Sequence, residues 1–535
     1  MRRYIINLTR LGDLLQTQAV IHGFAEQGDQ VALVCLENFA GAAALLRGVD
    51  QVAALPGAAL LAGLDRDWPS AAAALEDWVQ AQRRAFMPDA VLNLTPTLPA
   101  RLLSRLLPPR GQADGFSLDD HGFGQDGSPW ATYVQAVSAS RGCSPFNLVD
   151  SFRCMAGVTQ RTPSSALRHP GEEEQHHARA LLEAAARDAG QTAPAGFVAF
   201  QLGASNDARR WPTESFAALG RILRERAGLL PVLTGSAGER PLAGRYFAHG
   251  GPGVDCTGRT TLPELAALLT QTRLLITNDT GTMHLAAGLG VPLLALFLAT
   301  AQPWDTGPYA ENLCCLEPRL DCHPCAFGKA CPHQGRCRQS ISAEAVAALV
   351  LPRLDSGRWQ PAGAASEQAR VWLTCRDESG FLNLVSLSGD EETDRTLWVR
   401  LQRRFYRRLL DRLAPAPLPI PANSARDDRP GTKLSAGRRE RILSVLDSAD
   451  GLLHLTREQG RLLTVRPDAR GRQAFLATCE RLGTLFSSSP DFLPLGLLWR
   501  SMLQEAGGNW ADTGRFFDAL RDELRGLALE IPRCS

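Results

Sequence analysis

The chain has 535 residues, 44% of them hydrophobic and 21% charged, which is long enough for about three domains that each bury a core. Its 57 basic and 56 acidic residues leave a net charge of +1, so composition excludes the broad basic footprint of a nucleic-acid binder or of bulk adsorption to a membrane. No apolar run reaches the ~20 residues that span a bilayer, and Met1-Arg2-Arg3 leads straight into a strand-like run. The expectation is therefore a cytoplasmic protein with its thirteen cysteines mostly reduced.

Tyr4 to Leu8 reads as a buried strand, and Arg10-Leu11-Gly12-Asp13 turns from it into an amphipathic helix running to about Gln27. A residue at such a strand-to-helix turn faces the crevice beyond the carboxyl ends of an α/β sheet, where ligands collect; a plain helix cap is the alternative for Asp13. Further strands are expected over Gln30 to Leu36, Gln51 to Leu55 and Asp89 to Leu94. The domain is Rossmann-like but lacks a G-x-G-x-x-G after Leu8, and no Walker A lysine motif occurs anywhere. Dehydrogenase, kinase and ATPase readings thus lose their best support. Asp65-Arg66-Asp67 imitates a metal-binding D-x-D, although the Ala- and Leu-rich sequence around it reads as helix or loop. Gly111 to Ser151 is expected to be irregular and to help shape a cleft, and a domain boundary is placed between Gln160 and Pro194, around a helix from His176 to Ala189.

The second domain begins with a strand at Phe197 to Leu202. The turn after it brings Ser205 and Arg209 together ahead of Trp211-Pro212, a combination suited to phosphate oxygens, or else a simple helix start. A strand from Leu229 to Thr234 precedes a Gly-rich turn with Glu239, which reads equally as a ribose acceptor or as a solvated helix-start carboxylate. After Val254 to Thr257 and a helix from Pro263 to Thr272, the apolar run Leu274 to Thr277 stops at Asn278-Asp279-Thr280-Gly281, and small and apolar residues at helical spacing follow. In a βαβ unit the first-turn N–H groups lack helical partners and face the ligand crevice. Thr280 adds a hydroxyl, Gly281 permits close approach, and His284 lies one turn along, geometry that suits a nucleotide diphosphate.

Three runs resemble glycosyltransferase family 9, the ADP-heptose:lipopolysaccharide heptosyltransferases. They are DTGTMHLAAGLGVPLLALF with Thr300, Trp304, Gly307, Pro308 and Tyr309 after it, RLGDLLQTQAV at the amino terminus, and GASNDARRWPTESFAAL. The resemblance covers roughly residues 1 to 350 and implies a GT-B architecture: an α/β protein with two Rossmann-like domains facing a cleft. An amino-terminal acceptor domain is expected over 1–175, a nucleotide-sugar donor domain over 190–360 with a Cys-rich loop 314–337, and a mainly helical carboxyl-terminal extension over 366–535. By resemblance Asp13 is the catalytic base, Gly12 lies on the acceptor side, and Ser205, Arg209, Glu239, Asp279, Thr280, Gly281 and His284 bind the donor. Arg209 stands where the family usually has a lysine, so a planar fork replaces a compact ammonium.

Cys322, Cys325, Cys331 and Cys337 crowd four thiols into one loop, which favours a structural zinc or iron over disulfides in a reducing compartment; free thiols in a loop are the alternative. In the related autotransporter heptosyltransferases a comparable cluster binds iron, and the resemblance carries that over. Beyond about Pro361 the resemblance ends. A hairpin is expected at Val371 to Cys375 and Phe381 to Ser388, then an Arg-rich helix over Asp394 to Leu413, a Pro-rich linker over 414–419 and a helical tail. Arg403, Arg404, Arg407 and Arg408 suit either anionic headgroups, giving a peripheral contact with the inner membrane, or a basic helix face packed on the core.

The resemblance implies inverting transfer of heptose from ADP-heptose to a lipopolysaccharide core hydroxyl, with no catalytic cofactor. Competing readings are a protein acceptor or another nucleotide sugar, a GT-B epimerase of nucleotide sugars, and a non-catalytic assembly protein with a vestigial cleft.

Overall fold

The computed structural model describes residues 1–108, 113–138, 144–158, 160, 163–188, 190, 194–414, 434–505 and 510–531, the side chains of 188 and 510–512 excepted. Two open sheets organise it. The first contains β1 (Arg2–Ile6), β2 (Gln30–Leu36), β3 (Gln51–Leu55), β4 (Ala90–Asn93), β5 (Asp114–Leu118) and β6 (Gly124–Asp126), in the order β3-β2-β1-β4-β5-β6. The second contains β7 (Gly196–Gln201), β8 (Leu229–Thr234), β9 (Val254–Asp255), β10 (Leu275–Asn278), β11 (Leu293–Leu296), β12 (Cys314–Pro318), β13 (Ala369–Arg376) and β14 (Leu382–Ser386), in the order β14-β13-β12-β11-β10-β7-β8-β9.

The paired strands from β3 to β5 and from β9 to β12 are parallel, whereas β6, β13 and β14 join antiparallel. Because right-handed crossovers wind outward in both directions from the first strand, each sheet reverses its strand order once. The reversals fall between β1 and β4 and between β7 and β10, and ligands of doubly wound sheets bind in the crevice at such a switch point. The two halves are Rossmann-like and form the GT-B fold, with a largely helical region appended.

The central strands form where expected because they are buried on both faces, as apolar runs such as Val31 to Cys35 and Leu293 to Leu296 require. Several helices begin on side-chain caps. Thr261 and Glu264 make a capping box at Leu262–Thr270, and Ser342 and Thr393 cap Ala343–Ser356 and Asp394–Leu413.

Four expectations need correction. The helix after β1 is not continuous to Gln27: it breaks at Thr17 into Leu11–Gln16 and Gln18–Glu26, where the Thr17 hydroxyl donates to the Asp13 carbonyl oxygen and accepts from Asn7 Nδ2. Gly111 to Ser151 is largely regular among its described residues, containing β5, β6 and the helices Pro129–Ser138 and Leu148–Met155. Asp119, Asp120 and Gly122 form the turn between β5 and β6, while Trp130, Tyr133 and Phe146 are buried in a core that the distant carboxyl-terminal helices complete. Of the segment 314–337, Cys314–Pro318 is strand β12 and not loop. The hairpin β13–β14, placed at the head of the helical extension, extends the second sheet by pairing β13 with β12. The Pro-rich linker lies outside the described residues beyond 414.

Asp65 and Asp67 flank the turn between the helices Gly57–Leu64 and Trp68–Ala85, both exposed, and Asp67 accepts from the Ser70 hydroxyl. The D-x-D triplet is thus a surface turn. After β14 come Asp394–Leu413, Ala436–Val465, Ala469–Ser488, Leu493–Glu505 and Trp510–Glu530, a helical bundle that shares one core with both sheets. Among the described residues no helix is long and apolar enough to cross a membrane.

Candidate active site

β1 and β10 each end in a tight turn into a helix, and those two helices meet. A Cβ placed on Gly12 would lie 2.9 Å from His284 Cδ2 and 3.5 Å from the Gly281 Cα, and one on Gly281 would lie 3.0 Å from Leu11 side-chain carbons. The amino-terminal ends of Leu11–Gln16 and Gly281–Gly288 therefore touch across the interdomain gap, and glycine is what lets the backbones come so close. Asp13 stands half-exposed in the first helical turn on one side; Thr280, Gly281 and His284 stand on the other.

Asp13 is held through its backbone and left free at its carboxylate. Asn7 Nδ2 donates to the Asp13 carbonyl at 3.0 Å, and Asn7 Oδ1 accepts from the Thr9 backbone N–H and hydroxyl, so one buried amide fixes the whole turn. Among the described residues no side chain or N–H group hydrogen-bonds the Asp13 carboxylate. It does influence His284. Burial pushes that imidazole below the usual histidine pKa, while the carboxylates of Asp279 and Asp13 pull it back upward. A neutral His284 ring is the consequence near pH 7.

On the donor side Thr280 is the N-cap of Gly281–Gly288 in extended backbone conformation and makes no side-chain cap bond; its hydroxyl lies 3.2 Å from that of Thr277. Asp279 is buried, pairs with Arg209 Nη2 and accepts from the Thr306 hydroxyl at 3.2 Å. Arg209 Nη1 donates to Ser205 Oγ at 3.3 Å, and its Nε is buried without a partner. The turn after β7 is thereby fastened to the turn after β10, at the switch point.

Glu239 sits at the carboxyl edge of the same sheet, engaged in a capping box. Its Oε2 accepts from the Ser236 N–H at 2.6 Å and from the Ser236 hydroxyl at 3.0 Å, while Oε1 accepts from Gln201 Nε2 at 3.2 Å. Gly203 makes room for it, because a Cβ there would fall 1.3 Å from Glu239 Oε1. Any ribose contact by this carboxylate is additional to those bonds.

Sequence reasoning missed the buried amides behind these turns. Asn278 Nδ2 donates to the carbonyls of Leu202 and Gly203 at 3.0 and 3.1 Å, and its Oδ1 accepts from the Trp211 N–H at 2.9 Å. Gln201 Oε1 accepts from the hydroxyls of Thr234 and Thr282. The available signal was a carboxamide ending an otherwise apolar strand, since a buried amide must be hydrogen-bonded.

The cysteine loop lies apart from these turns. Cys322 and Cys331 are exposed, Cys325 is half-buried and Cys337 is buried. Burial, then the neighbouring thiols of Cys337, Cys322 and Cys331, push the Cys325 pKa up, so the four are near one another and the thiol form is favoured. Yet among the described residues no three of His, Cys, Asp or Glu stand where they would hold a metal ion. The iron or zinc expectation finds no support in this arrangement.

Of the two readings of the Arg-rich helix, its ion pairs favour the basic face packed on the protein. Arg403 pairs with Asp377 and donates to the Pro145 carbonyl, Arg404 pairs with Glu530, Arg407 with Asp411, and Arg408 with Glu523 and Glu530. These cations bind the protein's own carboxylates, two of which, Glu523 and Glu530, lie on Trp510–Glu530, a helix that the linear sequence keeps more than a hundred residues away.

Comparison with known proteins agrees with this geometry. The profile of glycosyltransferase family 9 (heptosyltransferase) matches residues 148–335. Lipopolysaccharide heptosyltransferase 1 of Pseudomonas aeruginosa is 35% identical over 147 residues, 28% of this chain and 40% of its own length. Lipopolysaccharide heptosyltransferase 2 of Escherichia coli is 35% identical over 110 residues, 20% of this chain and 31% of its own length. The sequence match thus spans well under half of each of these relatives. The glycosyl transferase family 9 crystal structure from Veillonella parvula superposes with a TM-score of 0.53 at 20% identity, covering 66% of this chain and 97% of that one, which supports the fold. The likeness of this chain to glycosyltransferase family 9 is thus carried by the segment 148–335.

Proposed function

We propose that the chain is an inverting glycosyltransferase that moves heptose from ADP-heptose to a hydroxyl of a lipopolysaccharide core acceptor. The observation that carries this reading is the apposition of a partner-free Asp13 carboxylate and the Thr280–His284 helix start, at the switch points of two facing sheets. The family 9 match over 148–335 and the names of the relatives, both heptosyltransferases, support the donor class.

In the proposed reaction Asp13 takes the proton of the acceptor hydroxyl as that oxygen attacks the anomeric carbon, and the bond from that carbon to ADP breaks on the opposite face. The charge growing on the departing diphosphate meets the N–H groups at the start of Gly281–Gly288, the Ser205 hydroxyl and the Arg209 guanidinium. Asp279 holds Arg209 in place, and neutral His284 donates or accepts a hydrogen bond to the sugar without adding charge. The reading requires no metal.

Calorimetric titration with ADP-heptose, UDP-sugars and GDP-sugars, followed by mass analysis of products with lipopolysaccharide core and protein acceptors, tests it. Binding of ADP-heptose with transfer to the glycan is expected. Turnover without acceptor would convert the assignment to an epimerase, and failure to bind any nucleotide diphosphate would end the catalytic reading.

A further inference from the structure

The helices Ala436–Val465 and Ala469–Ser488 form an antiparallel hairpin whose tip lies outside the family 9 segment. Its inner face is complete, with Leu463 and Phe475 buried. Their neighbours point outward: Leu462 is 67% exposed, Val465 84% and Leu476 56%, with Leu455 at 43% two turns back on the stripe of Leu462. Over 461–476 the sequence carries four arginines, Arg461, Arg466, Arg470 and Arg472, and one acid, Asp468. That acid caps its own helix, accepting from the Gly471 N–H at 2.7 Å.

Charge use elsewhere in the bundle is different. Arg438 pairs with Asp491, Arg457 with Asp518, and Arg521 and Arg525 with Asp450. At the tip, Arg461 reaches only the exposed Glu458 at 3.7 Å, and Arg466, Arg470 and Arg472 have no carboxylate within ion-pair distance among the described residues. A protein of net charge +1 therefore concentrates unpaired cations beside exposed aliphatic side chains on one convex tip.

We propose that this tip docks on an anionic lipid surface, with the arginines on headgroup phosphates and Leu462, Val465 and Leu476 entering the acyl boundary. Free guanidinium groups gain from phosphate, and exposed aliphatics gain only where water is excluded; a bilayer interface offers both to a convex probe. A nucleic acid would reward the arginines and leave the aliphatic groups wet, and the outward residues carry no aromatic ring for stacking on bases. The proposal is independent of the transferase reading, because it involves no residue of the cleft.

The test is co-sedimentation of the full chain with phosphatidylcholine vesicles, with and without phosphatidylglycerol. Binding is expected only to the anionic vesicles and is expected to weaken with salt. The triple variant R466E/R470E/R472E is expected to lose at least about 100-fold in partitioning, and L462S/V465S about 10-fold. Far-UV circular dichroism and ADP-heptose titration should be unchanged in both, since every altered side chain is exposed. Absence of anionic-vesicle binding at low salt, or retention by the triple variant, overturns the proposal. So does binding to a soluble polyanion that equals vesicle binding and ignores L462S/V465S, or a self-association that V465S abolishes.

Discussion

Asp13 and Glu317 are both carboxylates near the junction of two domains, and the structure treats them in opposite ways. Asp13 is half-exposed and steered through its backbone, with a carboxylate that no group among the described residues hydrogen-bonds. Glu317 on β12 is fully buried and saturated. Arg395 donates to both its oxygens at 2.9 and 2.8 Å, and Trp372 Nε1 donates at 2.8 Å. Burial pushes its pKa up, but the charge and hydrogen bonds of Arg395 outweigh that and bring it to about 2. The same contrast recurs at Asp150, whose carboxylate accepts from Tyr309, Arg153 and the Leu382 N–H and so pins the helix Leu148–Met155 to the second sheet. The Asp13 carboxylate is left free to meet a ligand, whereas those of Glu317 and Asp150 are engaged in holding the architecture.

The sharpest way to break this contrast is to exchange the expected consequences. Asp13→Asn is expected to lower the transfer rate by about 100- to 10,000-fold, the range of a general base, with unfolding midpoint and ADP-heptose affinity unchanged. An unaltered rate in that variant would remove the base assignment. Arg395→Ala is expected to do the reverse, destabilising the fold by about 3 to 5 kcal/mol in a urea titration because it strands a buried charge.

The pH dependence of stability separates the two further. With a folded pKa of about 2 against an ordinary 4.5, the Glu317 carboxylate contributes stability that is present above about pH 4.5 and disappears as pH falls towards 2. The span corresponds to about 3 kcal/mol, and Arg395→Met should flatten it in acid-titrated unfolding curves.

Gly12→Ala sharpens the other side. Its new Cβ would press on the His284 ring, and a loss of about 10- to 100-fold in kcat is expected as the two helix starts separate, with the fold retained. The smallest effect belongs to His284. Its folded pKa lies below the ordinary value, so the unfolded chain takes up a proton first as pH drops below about 6.5, and stability declines there. His284→Gln should remove that part of the slope between pH 7.5 and 5.5.

The parallel strands were legible because strands buried on both faces are continuous apolar runs, and their turns were legible because Gly, Asp, Asn and Thr interrupt those runs. Residues 111–151 were not, since the burial of Trp130 and Tyr133 depends on helices more than 250 residues away; Trp130 Nε1, for example, donates to Asp411 at 2.9 Å. The arginines of Asp394–Leu413 left two readings open for the same reason: as a string they form a basic face, and only their partners show that the face is neutralised against the protein.

By itself, the sequence determined two Rossmann-like halves, the turns that carry Asp13 and Thr280, and the family signature, because those depend on neighbours within one βα unit. Only the tertiary structure decided that the two helix starts touch through Gly12 and Gly281. It alone assigned Asn278, Gln201 and Asn7 to hold the turns, and it alone left Arg466, Arg470 and Arg472 unpaired while Arg404 and Arg408 found carboxylates. The physical reason is that a hydrogen bond or an ion pair depends on distance through space, and separation along the chain carries no information about it until the chain has packed.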